Sequence, residues 1–425
     1  MNVEKKVPEI RFKGFSGEWE SIGLLDSIER IIDFRGRTPK KIGFDWSPSG
    51  YRALSALNVK QGYIDFSIDP HFGDQELYDK WMSDSELHLG QVLFTTEAPM
   101  GNVAQVPNSD KYILSQRTIA FVVKSEVVTD DFLAVLLRSP KVFRGLTALS
   151  SGGTAKGVSQ KNLAKLDISL PEDLSEQTAI GNTFQKFDSL INQHQQKHDQ
   201  LSNIKKAMLE KMFPKPGETI PEIRFKGFGG EWEHFTIESC SSLITKGTTP
   251  MTIGRSFVDK GVSFVKVESV DEMGNLSQSK FAYIDTETDQ VLARSRIKEN
   301  DLLLSIAGAL GRAAIVKKKF LPANTNQALA IVRLKNDSLV EVKFLYHFTK
   351  TRDFKDFVDA SASQGAQPNL SLGDISKVKI FAPTREEQTA IGNYFQKLDA
   401  LINQHQQQIS KLTNIKQAFL SKMFV

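Results

Sequence analysis

The sequence has almost no cysteine. Cys240 is the only one in 425 residues, which excludes a disulfide framework and a cysteine-built zinc site and points to a reducing, cytoplasmic setting. Long apolar runs are missing too. No stretch of about 18 apolar residues offers a membrane span, and the start, MNVEKKVPEIRF, has no signal-peptide core. Charge of one sign is in small excess, a formal net +4, which permits a nucleic-acid partner without requiring one. Catalytic motifs are lacking: there is no GxxxxGK[ST] loop, no GxSxG elbow, no HExxH, and no Asn/Asp-Pro-Pro-aromatic tetrapeptide of the kind a DNA amino-methyltransferase carries. The seven histidines are dispersed. His194 and His198 stand four apart on a helical pattern, but the position of His198 is Ile409 in a second copy, while His194 recurs as His405. That favours a structural role over a metal site. No catalytic residue, metal ligand or cofactor is expected on this chain.

What is present is a long stretch that occurs twice. Residues 176–213 read EQTAIGNTFQKFDSLINQHQQKHDQLSNIKKAMLEKMF, and residues 387–424 read EQTAIGNYFQKLDALINQHQQQISKLTNIKQAFLSKMF, at an offset of 211. Apolar residues recur at helical spacing: Phe184, Phe187, Leu190, Ile191, Leu201, Ile204 and Met208, matched by Phe395, Leu398, Leu401, Ile402, Leu412, Ile415 and Phe419. A helix of this length spans roughly 57 Å and cannot bury its stripe alone. Two such helices can bury theirs on each other. A second repeat, VPEIRFKGFSGEWE at 7–20 and IPEIRFKGFGGEWE at 220–233, makes the whole chain a tandem duplication. Phe12, Phe15 and Trp19 in the first copy read as anchors to a core.

Between these ends the two copies differ, yet landmarks align. Gly36, Thr38 and Pro39 match Gly247, Thr249 and Pro250. Strands are expected at 53–59, 92–95 and 119–123, matched by 264–270, 302–305 and 329–332. A helix is expected over 132–146 and 344–358. Glycine-containing loops follow at 150–157 and 361–368, then a short strand at 166–170 or 378–381. Asp173 with Glu176, and Thr384 with Glu387, have capping-box spacing at the start of the long helices.

Basic and amide residues collect near expected loops in these variable middles. They are Arg35, Arg37, Lys40, Lys41, Gln116, Arg117, Lys156 and Lys161 in the first copy. In the second they are Lys246, Arg255, Lys266, Arg312, Asn324, Asn326 and Gln327. Lys and Arg neutralise phosphates, and Arg, Asn and Gln can pair with base edges. A duplicated chain also suits two DNA half-sites at fixed separation.

The PEIRFKGFxGEWE starts, the EQxAIGNxFQKxDxLINQHQ helices and the GxTP landmarks, each present twice, resemble the specificity subunit of type I restriction-modification systems. The resemblance covers essentially the whole chain. It implies two target-recognition domains, each reading one half of a bipartite double-stranded DNA target. It implies two modification (methyltransferase) subunits docked on the helices, and restriction (translocase/nuclease) subunits joining them. S-adenosylmethionine, ATP and Mg would then belong to those partners, and this chain would be non-catalytic by itself.

The expected fold is mixed α/β: two target-recognition domains of short strands and helices, joined by two long helices forming an antiparallel coiled coil, with pseudo-two-fold symmetry. The expected boundaries are 1–172, 173–213, 214–383 and 384–425. The competing reading is a coiled-coil scaffold whose two globular units bind proteins or glycans.

Overall fold

The computed structural model describes residues 6–151, 156–362 and 369–425. By its contacts the chain divides into two compact units: Met1–Gln195 with Gln407–Val425, and Gln196–Gln406. The division falls inside both long helices, Leu174–Lys211 and Arg385–Lys422. Each unit therefore holds the first half of one long helix and the second half of the other.

The first unit is built on a sheet that is apolar on both faces. Strands Ile28–Asp33, Thr118–Val123, Val92–Thr95 and Val103–Gln105 lie in that order, all antiparallel. Side chains alternate across a strand. Val92, Phe94, Ile119 and Phe121 enter one core, together with Trp19, Phe132, Phe184 and Phe424. Leu93, Ala104 and Ala120 enter a second, with Trp81 and Leu114. Burial on both faces is why the inner strands Val92–Thr95 and Thr118–Val123 read as nearly unbroken apolar runs. The first core ties the sheet to the long helices. The second carries a small sheet of Phe72–Gly73, Tyr51–Leu54 and Tyr112–Leu114. The second unit repeats the plan. Leu302, Leu304, Ala330 and Val332 face a core with Trp232, Phe344 and Phe395, while Leu303, Ala314 and Ile331 face another.

The repeated motif EQTAIGN is explained residue by residue. Both oxygens of the buried Glu176 accept from Arg11 at 2.7 Å, and Glu387 accepts in the same way from Arg224. These glutamates do not close the expected capping boxes, because a buried carboxylate gains more from a bidentate guanidinium than from one backbone N–H. Gln177 accepts from the Thr129 N–H and donates to the Val127 and Pro171 carbonyls; Gln388 does the same with Glu341, Leu339 and Pro383. A Cβ on Gly181 would lie 2.6 Å from the Asp131 Cβ, and one on Gly392 would lie 3.0 Å from that of Lys343. Glycine lets the long helix meet the helix of the target domain at close range.

In each unit the two long-helix halves run antiparallel, as expected. In the first, Phe184 lies against Phe424 and Phe187 against Phe419, so one index rises as the other falls. In the second, Phe395 meets Phe213 and Asp399 meets Lys205. The expected packing stripe needs correction at three positions. Leu190, Ile204 and Leu401 are 43%, 44% and 43% exposed. At about 100° per residue, Leu190 points roughly 120° away from Phe184, and Leu401 equally far from Phe395. Beside Ile204 the inward position is taken by Lys205.

Other local expectations also shift. The helices expected over 132–146 and 344–358 are each two: Asp130–Leu136 with Pro140–Leu149, and Val342–Phe348 with Arg352–Ala362. Ser139 caps a new start and Pro140 occupies its first turn; Thr351 caps the matching start. The strands expected at 53–59 and 264–270 are Tyr51–Leu54 and Val262–Val265. Asn58 ends the first by accepting from the Ser55 N–H and donating to the Ala53 carbonyl. The glycine-containing stretches fall largely on 152–155 and 363–368, outside the described residues.

A half-buried ionic group joins helix to helix and helix to domain in each unit. Asp188 accepts from Arg138 at 3.0 Å and from Lys416. Asp399 accepts from Lys205 at 2.5 Å, with the half-buried Lys350 nearby. Burial raises the pKa of Asp399 and lowers that of Lys416. Burial first, then the Lys205 and Lys355 charges, push Lys350 down to about 8, against the opposing pull of Asp399 and Asp271. Between that value and 10.5, the unfolded chain holds a proton that the folded chain has released, so stability rises with pH across the window. Urea unfolding from about pH 8 to 10 should therefore show the wild type gaining on Lys350→Met. An unchanged difference would contradict this.

Candidate nucleic-acid interface

In the first unit the expected residues sit on loops above the outer core. The GRTP stretch becomes a 3-10 turn, Pro39–Ile42, because Thr38 accepts the Lys41 N–H and Pro39 fits the first position. Gln116 and Arg117 connect strands Tyr112–Leu114 and Thr118–Val123. The Gln116 amide donates to the Arg37 carbonyl, which brings the two loops together. Lys40, Gln116 and Arg117 line one cavity of about 440 Å3. Arg37 is held inward, donating to the Trp81 carbonyl at 2.9 Å with its guanidinium 4.8 Å from the Phe34 ring. It braces the loop. Arg35 pairs with Asp33, Arg117 pairs with Glu97 at 3.1 Å, and Lys41 donates to the Gly36 carbonyl. Lys156 is exposed next to Gly157, which bridges to Glu97.

The second unit brings together a similar group. Gly247 and Thr248 donate to the carbonyls of Asn326 and Thr325, and Thr249 donates to Gln327 at 2.5 Å. Lys246, Asn326 and Gln327 thus share one loop junction. Arg255 pairs with Glu287, Lys266 with Glu268, and Arg312 with Glu272. Asn324 does not belong to any surface. It is fully buried, donates to Asp289 and to the Leu292 carbonyl, and accepts from the Thr325 N–H. A polar side chain on a strand that faces a core must be satisfied inside. Among the described residues, Lys40, Lys156 and Lys246 are exposed cations without a carboxylate partner.

Each unit thus presents a cluster of cations and amides on loops above an outer core, on a frame that is the same in both. The model of the type I restriction modification DNA specificity domain matches residues 58–203 and again 230–414. The chain belongs to this family. Its similarity to individual relatives is low and extended. It is 22% identical over 335 residues to the type I restriction enzyme EcoBI specificity subunit of Escherichia coli, covering 74% of this chain and 69% of that one. It is 21% identical over 324 residues to the MjaVIII specificity subunit of Methanocaldococcus jannaschii, covering 75% of each. The fold matches a type I system specificity subunit from M. genitalium with a TM-score of 0.63, at 16% identity and 99% coverage of both chains. A chain from a structure of type I assembly and conformational transition matches at 0.50, with 18% identity and 95% and 96% coverage. As in that family, the role of this chain is DNA target recognition.

A search for basic and amide residues misses Trp46 and His71, which line the same cavity as Lys40 and Arg117. It also misses Asp188 and Lys416, although both recur as Asp399 and Lys205 in the duplicated helix. Removing Lys40 or Lys246 should weaken binding to any DNA and lower the slope of log affinity against log salt by about one each. Asn324→Ala should instead cost about 1–3 kcal/mol of stability, leaving its buried partners unpaired. Salt titrations and urea unfolding separate the two effects.

Proposed function

We propose that this chain is the reading subunit of a type I restriction-modification complex, with one half of a bipartite DNA target read by each unit. The observation that carries this is a constant frame bearing different loops. Arg11 with Glu176 and Arg224 with Glu387 make the same pair in both units, and Asp188 and Asp399 occupy the same place. At the loops, Arg117 is matched by Ala328, Ser55 by Lys266 and Trp46 by Phe257. A frame that keeps its geometry while its loops change suits two different half-sites.

In this reading the target domains are residues 1–172 and 214–383, and the long helices set the distance between half-sites. Lys40, Gln116, Arg117 and Lys156 contact one half. Lys246, Asn326 and Gln327 contact the other, with the paired Arg35, Arg255, Lys266 and Arg312 available at their edges. Two modification subunits dock on the helices and supply methyl transfer from S-adenosylmethionine; restriction subunits supply ATP-driven translocation and cleavage. The assembly works in the cytoplasm.

Mapping N6-methyladenine in cells that carry this chain with its modification subunit should give an asymmetric bipartite motif. Methylation by the purified chain alone would contradict the reading. So would salt-independent binding to proteins or glycans in place of DNA, as expected of a scaffold.

A further inference from the structure

The cavity of the first unit has more chemistry than a loop cluster needs. Five non-glycine residues among those described have left-handed backbone, and three of them line it: Asp69, Ala98 and Arg117, with φ of 53°, 48° and 64°. Such conformations cost free energy and concentrate at binding sites. The half-buried Trp46 forms one wall, its ring 5.3 Å from that of His71 and 6.1 Å from that of Trp81. Asp69 accepts from the His71 Nδ1 with one oxygen and from the Ser55 hydroxyl with the other. A carboxylate on Nδ1 fixes the proton there and leaves Nε2 as an acceptor. The exposed Asp45 supplies a second acceptor. Lys40 and Arg117 stand at the rim.

An aromatic wall, acceptors within and cations at the rim match a nucleotide: a flat heterocycle with N–H donors, attached to phosphates. In the second unit larger side chains stand at the aligned positions. Where the first has Ala53 and Ser55, the second has Phe264 and Lys266. Phe264 is fully buried 5.2 Å from Phe257, the counterpart of Trp46, and the Lys266 ammonium lies 6.0 Å from the Phe257 ring. The cavity is therefore a feature of one reading unit and not of the shared fold.

We propose that this cavity receives one nucleobase turned out of the DNA duplex, an adenine or cytosine whose exocyclic amine faces the acceptors. Trp46 stacks on the base, His71 Nε2 and Asp45 accept from it, and Lys40 and Arg117 hold the flanking phosphates. The second unit reads its half-site without extruding a base. The inference rests on the DNA-reading function proposed above.

The test uses the full chain and duplexes carrying the mapped motif, with a mismatch placed in turn opposite each adenine and cytosine. A base already unpaired is cheaper to extrude. One mismatch in the half-site of the first unit should therefore tighten binding by about tenfold, and every mismatch in the other half should weaken it. Asp45→Ala and His71→Ala should abolish the tightening. Asp45 is exposed and its substitution leaves the fold intact, so loss of the effect there is not loss of structure. If every mismatch weakens binding and both variants behave as wild type, the base is read in the groove and the proposal is overturned. Tightening in both halves overturns the asymmetry. A chain that does not prefer its motif to unrelated DNA overturns the reading function as well, which separates the two failures.

Discussion

In each unit a half-buried carboxylate stands where three elements meet. Asp188 projects from the first half of one long helix, receives Lys416 from the second half of the other, and receives Arg138 from the helical layer of the target domain. Asp399 occupies the same junction with Lys205 and Lys350. Taking a carboxylate even partly out of water has a cost, which close cationic partners offset. The arrangement therefore disfavours a slip: moving either helix by one turn would leave a half-buried charge unpaired. Around it the Glu–Arg pairs and the two glutamines of EQTAIGN fix the same helices to the N-terminal segment and to the loop before the domain helix. Register between helix and reading unit is thus set by polar contacts, while the aromatic cores supply most of the burial.

The central sheet insulates this frame from the variable loops. Its inner face packs with Phe184 and Phe424 or with Phe395 and Phe213, and its outer face packs with the small sheet that carries the loops. Exchanging Ala53 for Phe264, or Ser55 for Lys266, changes the outer layer and leaves the inner contacts alone. Sites that share no partner vary independently. In the function proposed above, that separation lets one half of a target change without the other.

Much of the frame was legible because duplication marks it. Glu176, Gln177, Gly181 and Asp188, which recur at an offset of 211, proved to have structural partners, and unbroken apolar runs proved to be strands covered on both faces. What was not legible depended on distant partners. Nothing local tells that Glu176 serves Arg11 and not its own helix end, since they are 165 residues apart. Asn324 looked like a surface amide because its buried acceptors, Asp289 and Leu292, lie in another segment. The break before Pro140 was a local signal outweighed by apolar periodicity, which continues across it. In the cavity of the first unit, the acidic and aromatic residues carry no basic signature and come together only when the fold gathers them.

The central claim is that sequence reading is modular and the frame is not. Residues 36–170 can be replaced by the matching segment of another family member that keeps Arg138 and the residues facing Asp188. The N6-methyladenine motif of the hybrid should then change in one half only, with the other half and the spacer unaltered. A motif that changes in both halves, or a spacer that shifts with the loops, would contradict the account.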